Sequence, residues 1–170
     1  MATPAQMYDH RLNPVKAWPS QYALDKSLAI ADGETNIYAG RVIHIDPTAN
    51  AFKLGLPANY MPIFCWASQT DFDAIGGDDG NISLEGNKKG TSGLVATGAF
   101  ELQTTEFITG TYAPNTPLTS YQVSGDDLGK VTEGAFYTDV VCGVVSDGKS
   151  TNAHGKEVVT FWSYFLPTIP

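Results

Sequence analysis

The clearest chemical pattern in this 170-residue chain is the octapeptide Gly143 to Ser150, which reads Gly-Val-Val-Ser-Asp-Gly-Lys-Ser. A glycine, four residues and then Gly-Lys-Ser bind nucleotide phosphates when the loop opens a helix, whose N-terminal amides hold the phosphates. Here the first glycine lies inside the apolar run VVCGVV and the β-rich KEVVTFWSYF follows, which leaves no room for that helix. We therefore predict no nucleotide binding and interpret Asp147 to Ser150 as the start of a hairpin loop.

A group of carboxylates suggests calcium binding as a second possible chemistry. Asp71, Asp73, Asp78 and Asp79 lie close together, and Ca²⁺ takes roughly six to eight oxygen ligands. Their spacing does not match the calcium loop of alternating acidic residues closed by a glutamate, and Glu85 could join them only if the chain folded back. We expect a solvated acidic loop, with no metal and no cofactor.

Histidine supplies few candidates for general base catalysis, since the chain contains only His10, His44 and His154 and no Gly-x-Ser-x-Gly sequence. His44 and Asp46 lie two residues apart in a predicted strand, so their side chains share one face of a sheet. We interpret that pair as a surface contact and predict that the protein is not an enzyme.

Cys65 and Cys142 lie within the apolar runs PIFCWA and DVVCGVV. Neither belongs to a Cys-x-x-Cys spacing, and a reactive thiol needs both access and a lowered pKa. We predict two buried, free thiols.

Charge narrows the range of partners. The net charge is −8, and residues 1–45 carry four basic and four acidic side chains, so the imbalance lies entirely in residues 46–170. Such a body repels nucleic acids and anionic membrane surfaces. The N-terminal sequence MATPAQMYDHR lacks the apolar core of a signal peptide, and no apolar stretch approaches the ~20 residues that cross a bilayer. We expect neither nucleic acid nor membrane as a partner.

Residues 1–36 are predicted to form an extended N-terminal arm, because Pro4, Pro14 and Pro19 favour extended geometry and the segment shows little alternation. A short helix from about Gln21 to Ala31, capped by Ser20, is also compatible with the sequence.

Residues 37–170 are predicted to form one mainly β domain, a β-barrel-like or β-sandwich body, because short aromatic and β-branched runs alternate with turn residues. In the first strand, Val42 and His44 face one way while Ile43 and Ile45 face the other. Residues 75–93 are rich in glycine and polar residues, and we expect an exposed, mobile loop there. Further strands are predicted at Ala51–Leu54, Ile63–Ala67, Leu94–Gln103, Thr119–Val123, Ala135–Thr138, Val140–Ser146 and Val158–Leu166.

The C-terminal run VVTFWSYFLPTIP has apolar side chains at successive positions, including Trp162 and Tyr164. A strand buried by the core on one face and by a partner subunit on the other would explain this pattern, as would a central strand covered by loops.

The order of these features resembles the small head decoration, or cement, proteins of tailed phages. It comprises an aromatic, proline-bearing arm, a first strand reading IYAGRVIHID, a loop-rich middle, then TDVVCGVVS, a short loop and GKEVVTFWSYFLP. The resemblance implies a β body on the outer capsid surface, an arm that reaches across major capsid protein subunits, and self-association, with a homotrimer favoured over a homodimer. It also implies synthesis in the host cytoplasm and assembly into the virion.

We therefore expect a structural protein that stabilises contacts between major capsid protein subunits. The alternative is a carbohydrate- or receptor-binding β module of a virion fibre or adhesin, in which Trp66, Trp162 or tyrosines stack on sugars. The third hypothesis is a hydrolase built around His154 and the aspartates. Aromatic and arginine side chains dominate interface energies. The predicted capsid or oligomer contacts are Tyr8, Arg11, Trp18, Tyr22, Trp162 and Tyr164.

Overall fold

A computed structural model describes residues 12–17, 26–34, 37–67, 90–95 and 100–166, and these residues form β strands and connecting turns without a helix. This confirms the mainly β fold class. The strands are β1 Leu12–Ala17, β2 Lys26–Ala29, β3 Val42–Asp46, β4 Ala51–Leu54, β5 Ile63–Ala67, β6 Gly90–Val95, β7 Phe100–Thr104, β8 Pro117–Ser120, β9 Val131–Glu133, β10 Val141–Thr151 and β11 Glu157–Leu166.

The strands form two antiparallel sheets. The large sheet has six strands in the order β1-β7-β11-β10-β8-β9, and the small sheet has five in the order β2-β6-β5-β3-β4. The longest pairing is the hairpin of β10 and β11, whose turn is closed by a hydrogen bond from the Asn152 amide to the Lys156 carbonyl at 2.9 Å.

The small sheet curls so that its two ends meet. Ile30, just after β2, forms a parallel bridge with Phe52 of β4, and the Ala31 amide donates to the Phe52 carbonyl at 3.0 Å. The concave side holds an apolar cluster that includes Ile43, Phe52 and Ile63. The described part of this sheet is therefore barrel-like, because closing the strands around apolar side chains removes both those side chains and the sheet edges from water.

The main core lies between the sheets. Val42 and Phe64 point from the convex side of the small sheet toward Leu102 and Phe161 of the large sheet. The Phe64 and Phe161 rings lie 5.2 Å apart between centroids and are tilted by 46°. Since side chains alternate along a strand, β3 supplies Val42 to this core and Ile43 to the cluster inside the small sheet.

Polar contacts also join the two sheets. Arg41 Nε lies 2.7 Å from Glu106 Oε2, and both side chains are only 3% exposed. The same guanidinium donates from Nη1 to the Leu128 carbonyl at 3.2 Å, and Thr104 Oγ1 donates to the Gly40 carbonyl at 3.3 Å. The charged pair is buried with partners, as a buried charge requires.

Several predicted strands are confirmed. β3, Ala51–Leu54 and Ile63–Ala67 form as expected, and the two C-terminal strands form the predicted hairpin. The loop of this hairpin begins later than predicted. Asp147 to Ser150 lie within β10, and the turn follows at 152–156.

Other predicted elements are wrong. Leu94–Gln103 is not one strand, since β6 ends at Val95 in the small sheet and β7 begins at Phe100 in the large one. Thr119–Val123 is replaced by β8 at Pro117–Ser120. Ala135–Thr138 is a turn, because the Asp139 carboxylate accepts a hydrogen bond from the Ala135 amide and so satisfies backbone that a ladder would otherwise use.

The N-terminal segment pairs with the body where it is described. β1 pairs with β7 and β2 pairs with β6. The helix considered from Gln21 to Ala31 is wrong over Lys26–Ala29, where pairing with β6 overrides the local helix signals, and residues 21–25 lie outside the described part. The boundary at residue 36 remains a prediction. Of the loop predicted at 75–93, only residues 90–93 are described, and they belong to β6.

Candidate functional site

The outer face of the large sheet is the candidate binding surface. Val145, Val159 and Phe161 face the core, so the alternate residues Val144 and Trp162 face outward. Tyr164 lies on this outer side as well, because it is 45% exposed while the next residue, Phe165, packs against the core.

The outward side chains form a row across the strands. Trp162 of β11 pairs with Val144 of β10, and Val144 pairs with Pro117 of β8. All three are partly exposed. On the other side Trp162 pairs with Glu101 of β7, which is buried. Directly opposite side chains lie about 4.5–5.5 Å apart between their Cβ atoms, so the row is a continuous apolar strip that ends at a carboxylate.

The connection from β9 to β10 crosses the outer side of β8. Its first residue, Gly134, packs tightly against β8, because a Cβ there would lie 3.0 Å from Thr119 Cγ2. Thr119 Oγ1 also donates to the carbonyl of Val140 at 2.9 Å, near the end of the connection. Leu118 faces the core, so Thr119 faces outward and the turn lies on the same face as Trp162.

Two aromatic side chains project from this turn. Phe136 is 40% exposed and Tyr137 is 63% exposed, and their ring centroids are 6.3 Å apart. We name the combined surface the aromatic face, and its members are Pro117, Phe136, Tyr137, Val144, Trp162 and Tyr164. It presents four aromatic side chains to solvent on one side of one sheet.

The glycines of the phosphate-loop pattern have packing roles. A Cβ on Gly143 would lie 2.7 Å from Phe161 Cδ2, closer than any real contact. Gly148 has φ +82° at an irregularity in the β10–β11 pairing. Gly148, Lys149 and Ser150 lie in a β strand paired with β11, so the amides that would cradle a phosphate at a helix start are used in a sheet.

His44 is not the surface contact predicted with Asp46. It is 7% exposed, its Nδ1 lies 3.0 Å from the Gly55 carbonyl, and its ring meets Tyr60 edge-on at 4.9 Å. The error arose because the face predicted as solvent-exposed is covered by the chain after β4. Asp46 instead pairs with Lys53 at 2.6 Å, and this contact, with two backbone amides, lowers the pKa of Asp46 to about 2.

Both cysteines are buried thiols outside any disulfide, as predicted. Burial raises the pKa of the Cys142 thiol to about 12, so this thiol stays protonated and shielded from reagents at neutral pH. His154 lies in the exposed hairpin turn, where its amide donates to Asn152 Oδ1 at 2.9 Å. Among the described residues, no three His, Cys, Asp or Glu side chains come together as a metal site. The aspartates at 71–79 lie outside them.

Of the six predicted contact residues, two lie in the described part of the chain and four do not. The structure places Trp162 and Tyr164 together on the aromatic face. Tyr8, Arg11, Trp18 and Tyr22 lie outside the described residues, so their role remains a prediction. Sequence reasoning missed Phe136 and Tyr137, although Gly134 before them and Asp139 after them are turn signals.

In the described parts of the chain, no helix has the length and apolar character needed to span a membrane. No protein-family model, curated protein or solved structure matches the chain.

Proposed function

We propose that this chain is a capsid decoration protein, which binds the outer surface of a phage head and stabilises contacts between major capsid protein subunits. The observation that carries the proposal is the aromatic face. Exposed apolar patches of this kind mark interaction sites, and aromatic side chains are enriched at the centres of protein interfaces. The resemblance in the order of sequence features names the partner.

The proposed role is mechanical and needs no chemical step. Trp162 and Tyr164 stand on a strand at the middle of the large sheet, so their backbone is fixed by neighbouring strands on both sides. A rigid aromatic side chain loses little conformational entropy on binding, which leaves more of the buried area as net affinity. Many copies bound across subunit boundaries would then resist separation of the shell.

The test uses expanded heads of the same phage assembled without this chain. We expect the wild-type protein to co-sediment with them, and Trp162→Ala and Tyr164→Ala each to weaken binding by about tenfold or more. Met61→Ala is the matched control, since Met61 is 51% exposed in the small-sheet half and its truncation should leave binding unchanged. Failure of the wild-type protein to bind heads would refute the proposal.

A separate deletion variant tests the contribution of the predicted N-terminal arm. β1 begins at Leu12 and β2 at Lys26, so deleting residues 1–35 would remove two strands of the sheets. Deleting residues 1–11 leaves both strands intact. We expect this shorter deletion to keep the fold while reducing head binding, and undiminished binding would exclude a contribution from Tyr8 and Arg11.

A carbohydrate-binding module is the second candidate. Beside Trp162 on the outer face lie Glu101 and, one pair further, Gln103, which donates from Nε2 to Thr160 Oγ1 at 3.2 Å. An aromatic ring next to a partly exposed amide is suited to stacking on a sugar and bonding its hydroxyls, whereas the Glu101 carboxylate is buried. Binding on a glycan array that Trp162→Ala abolishes, together with no binding to heads, would favour this candidate.

A further inference from the structure

The chain contains three Asp-Gly dipeptides, at Asp32–Gly33, Asp79–Gly80 and Asp147–Gly148. In such a dipeptide the glycine amide can attack the aspartate side chain, because the second residue has no Cβ to obstruct the approach. The attack also requires a main chain that can rotate to bring the two groups together, so the fold decides which dipeptide reacts. Asp79–Gly80 lies outside the described residues, and the other two lie in contrasting surroundings.

Asp32–Gly33 forms an open turn between β2 and β3. The Glu34 amide donates to the Ala31 carbonyl at 3.1 Å, so Asp32 and Gly33 are the two central residues. Gly33 has φ +82°, which is typical of the second central residue of a type II turn. Both residues are exposed, and apart from chain neighbours no heavy atom lies within 4 Å of the Cβ position of Gly33. The Gly33 amide has no hydrogen-bond partner in the described part of the chain, so this peptide can rotate.

Asp147–Gly148 is held within the large sheet. Gly148 is buried, and it pairs with Thr160 between β10 and β11. A Cβ on Gly148 would lie 3.1 Å from the Tyr112 carbonyl oxygen, so the main chain is crowded on that side. Rotation at this dipeptide would require β10 to separate locally from its neighbour, which costs free energy.

We propose that Asp32 is a site of spontaneous isoaspartate formation and that the fold protects Asp147 from the same reaction. The Gly33 amide nitrogen forms a bond to Asp32 Cγ, and the amide proton and the carboxyl hydroxyl leave as water. The resulting five-membered imide then takes up one water molecule. Cleavage of the original bond between the Asp32 carbonyl carbon and the Gly33 nitrogen leaves a main chain that runs through Cβ and Cγ. The mass is unchanged, and the reaction does not depend on what the protein binds.

The turn lies at the seam where the two ends of the small sheet meet. Before the turn, the Ala31 amide donates to the Phe52 carbonyl at 3.0 Å, and after it Glu34 Oε2 accepts a hydrogen bond from the Leu54 amide at 3.2 Å. Phe52 and Leu54 both belong to β4. Isoaspartate adds one carbon atom to the main chain between Ala31 and Glu34, so the two contacts no longer fit the spacing of β4 together. The reaction therefore loosens the seam of the small sheet.

The experiment ages the purified full-length protein for several weeks in mildly acidic buffer, below its melting transition. Trypsin separates the two sites, since Asp32 falls in the peptide of residues 27–41 and Asp147 in the peptide of residues 131–149. Isoaspartate is measured by enzymatic methylation and by chromatographic separation of peptides of equal mass. We expect it to form about tenfold faster or more at Asp32 than at Asp147, because local opening of the strand must precede attack at Asp147.

Asp32→Glu is the blocking variant, because glutamate would have to close a less favourable six-membered ring while it keeps the charge. Asp147→Glu is the matched control. Aged wild-type protein and aged Asp147→Glu should contain a population whose Ala31 and Leu54 amides exchange faster with solvent and whose melting temperature is lower by about 2–4 °C. Aged Asp32→Glu should show neither change.

Each outcome decides one part of the proposal. Absence of isoaspartate from the peptide of residues 27–41, or equal rates in the two peptides, would overturn the assignment of the site. Isoaspartate at Asp32 with unchanged exchange and melting temperature would overturn the loosening of the seam, as would equal losses in aged Asp32→Glu. None of these results depends on head binding, so failure of the proposed function is detected separately.

Discussion

The two sheets differ in how their apolar side chains are used. The small sheet buries apolar side chains on both sides, with Phe52 and Ile63 inside its curl and Val42 and Phe64 against the large sheet. The large sheet buries one side and leaves Trp162 and Tyr164 on the other. Apolar residues of the small sheet are thus accounted for by folding, whereas those on the aromatic face are not.

This difference indicates where binding is to be sought. A fold gains nothing from large apolar side chains that remain in water, and solubility is reduced by them. The small sheet supports the inner face of the large sheet. Its convex side packs against that face, and the Arg41–Glu106 pair joins the two sheets. Substitutions should therefore separate into those that affect stability and those that affect binding.

Adjacent residues on β11 offer the sharpest contrast. Phe161 is fully buried and contacts Phe64, so Phe161→Ala should lower the free energy of unfolding by about 3–5 kcal/mol. Trp162→Ala, on the outer face, should lower it by about 1 kcal/mol and, under the proposed function, weaken head binding by about tenfold or more. Urea unfolding and sedimentation measure both quantities. Equal destabilisation by the two variants would contradict the assignment of the faces.

The buried ion pair tests the connection between the sheets. Glu106→Gln leaves the Arg41 guanidinium buried without its counter-charge, which should cost about 3 kcal/mol in urea unfolding. Lys149→Met is the control, because the Lys149–Glu157 pair is exposed and its loss should change stability by less than about 0.5 kcal/mol. Similar effects from the two variants would show that the Arg41–Glu106 pair is not a structural connection.

Gly143 separates packing from phosphate chemistry. Gly143→Ala places a methyl group against the Phe161 ring and should destabilise by about 1–3 kcal/mol. Magnesium ATP should leave the melting temperature of the wild-type protein unchanged, because a ligand that binds the folded state would raise it. A rise in melting temperature that Lys149→Met abolishes would restore the nucleotide-binding interpretation.

The smallest change in stability is expected from Asp46, at the surface of the small sheet. The contacts with Lys53 and two amides lower the pKa of Asp46 to about 2 in the folded state, below the ordinary value of 3.8. Its contribution to stability is therefore present above about pH 4 and is lost as the pH falls toward 2.

We accordingly expect Asp46→Asn to reduce the urea midpoint slightly at pH 7 and much less at pH 2, where the carboxyl group is about half protonated. Asp147→Asn, which removes an equal charge from an exposed position, is the control. A deficit of the same size at both pH values would show that the Asp46 carboxylate does not stabilise the fold through its charge.

Strand prediction succeeded where local alternation and partner strands agree. β3, β4 and β5 each alternate or carry β-branched and aromatic residues between clear turn signals, and they form as predicted. It failed at Ala135–Thr138, where aromatic residues favour a strand but Asp139 closes a turn, and at Lys26–Ala29, where pairing with β6 overrides helix signals. The conformation of such segments depends on the residues with which they pair or form hydrogen bonds. A single sequence does not identify those residues.

The sequence by itself determined the fold class of the protein, which is mainly β. Alternation, turn residues and composition required short strands, and the sequence context of Gly143 to Ser150 argued against a phosphate loop. It also predicted Trp162 and Tyr164 as contact residues, because a strand with apolar groups on both faces needs two burying surfaces, and that contact role stays a prediction.

Only the tertiary structure decided which apolar residues are left for a partner. His44 and Trp162 are both large side chains in strands, yet the first is covered by the chain after β4 and the second stays partly exposed. The aromatic face joins residues from β8, the turn 134–140, β10 and β11, which are far apart in sequence. Exposure depends on what packs above a strand, and that is set by the arrangement of the whole chain.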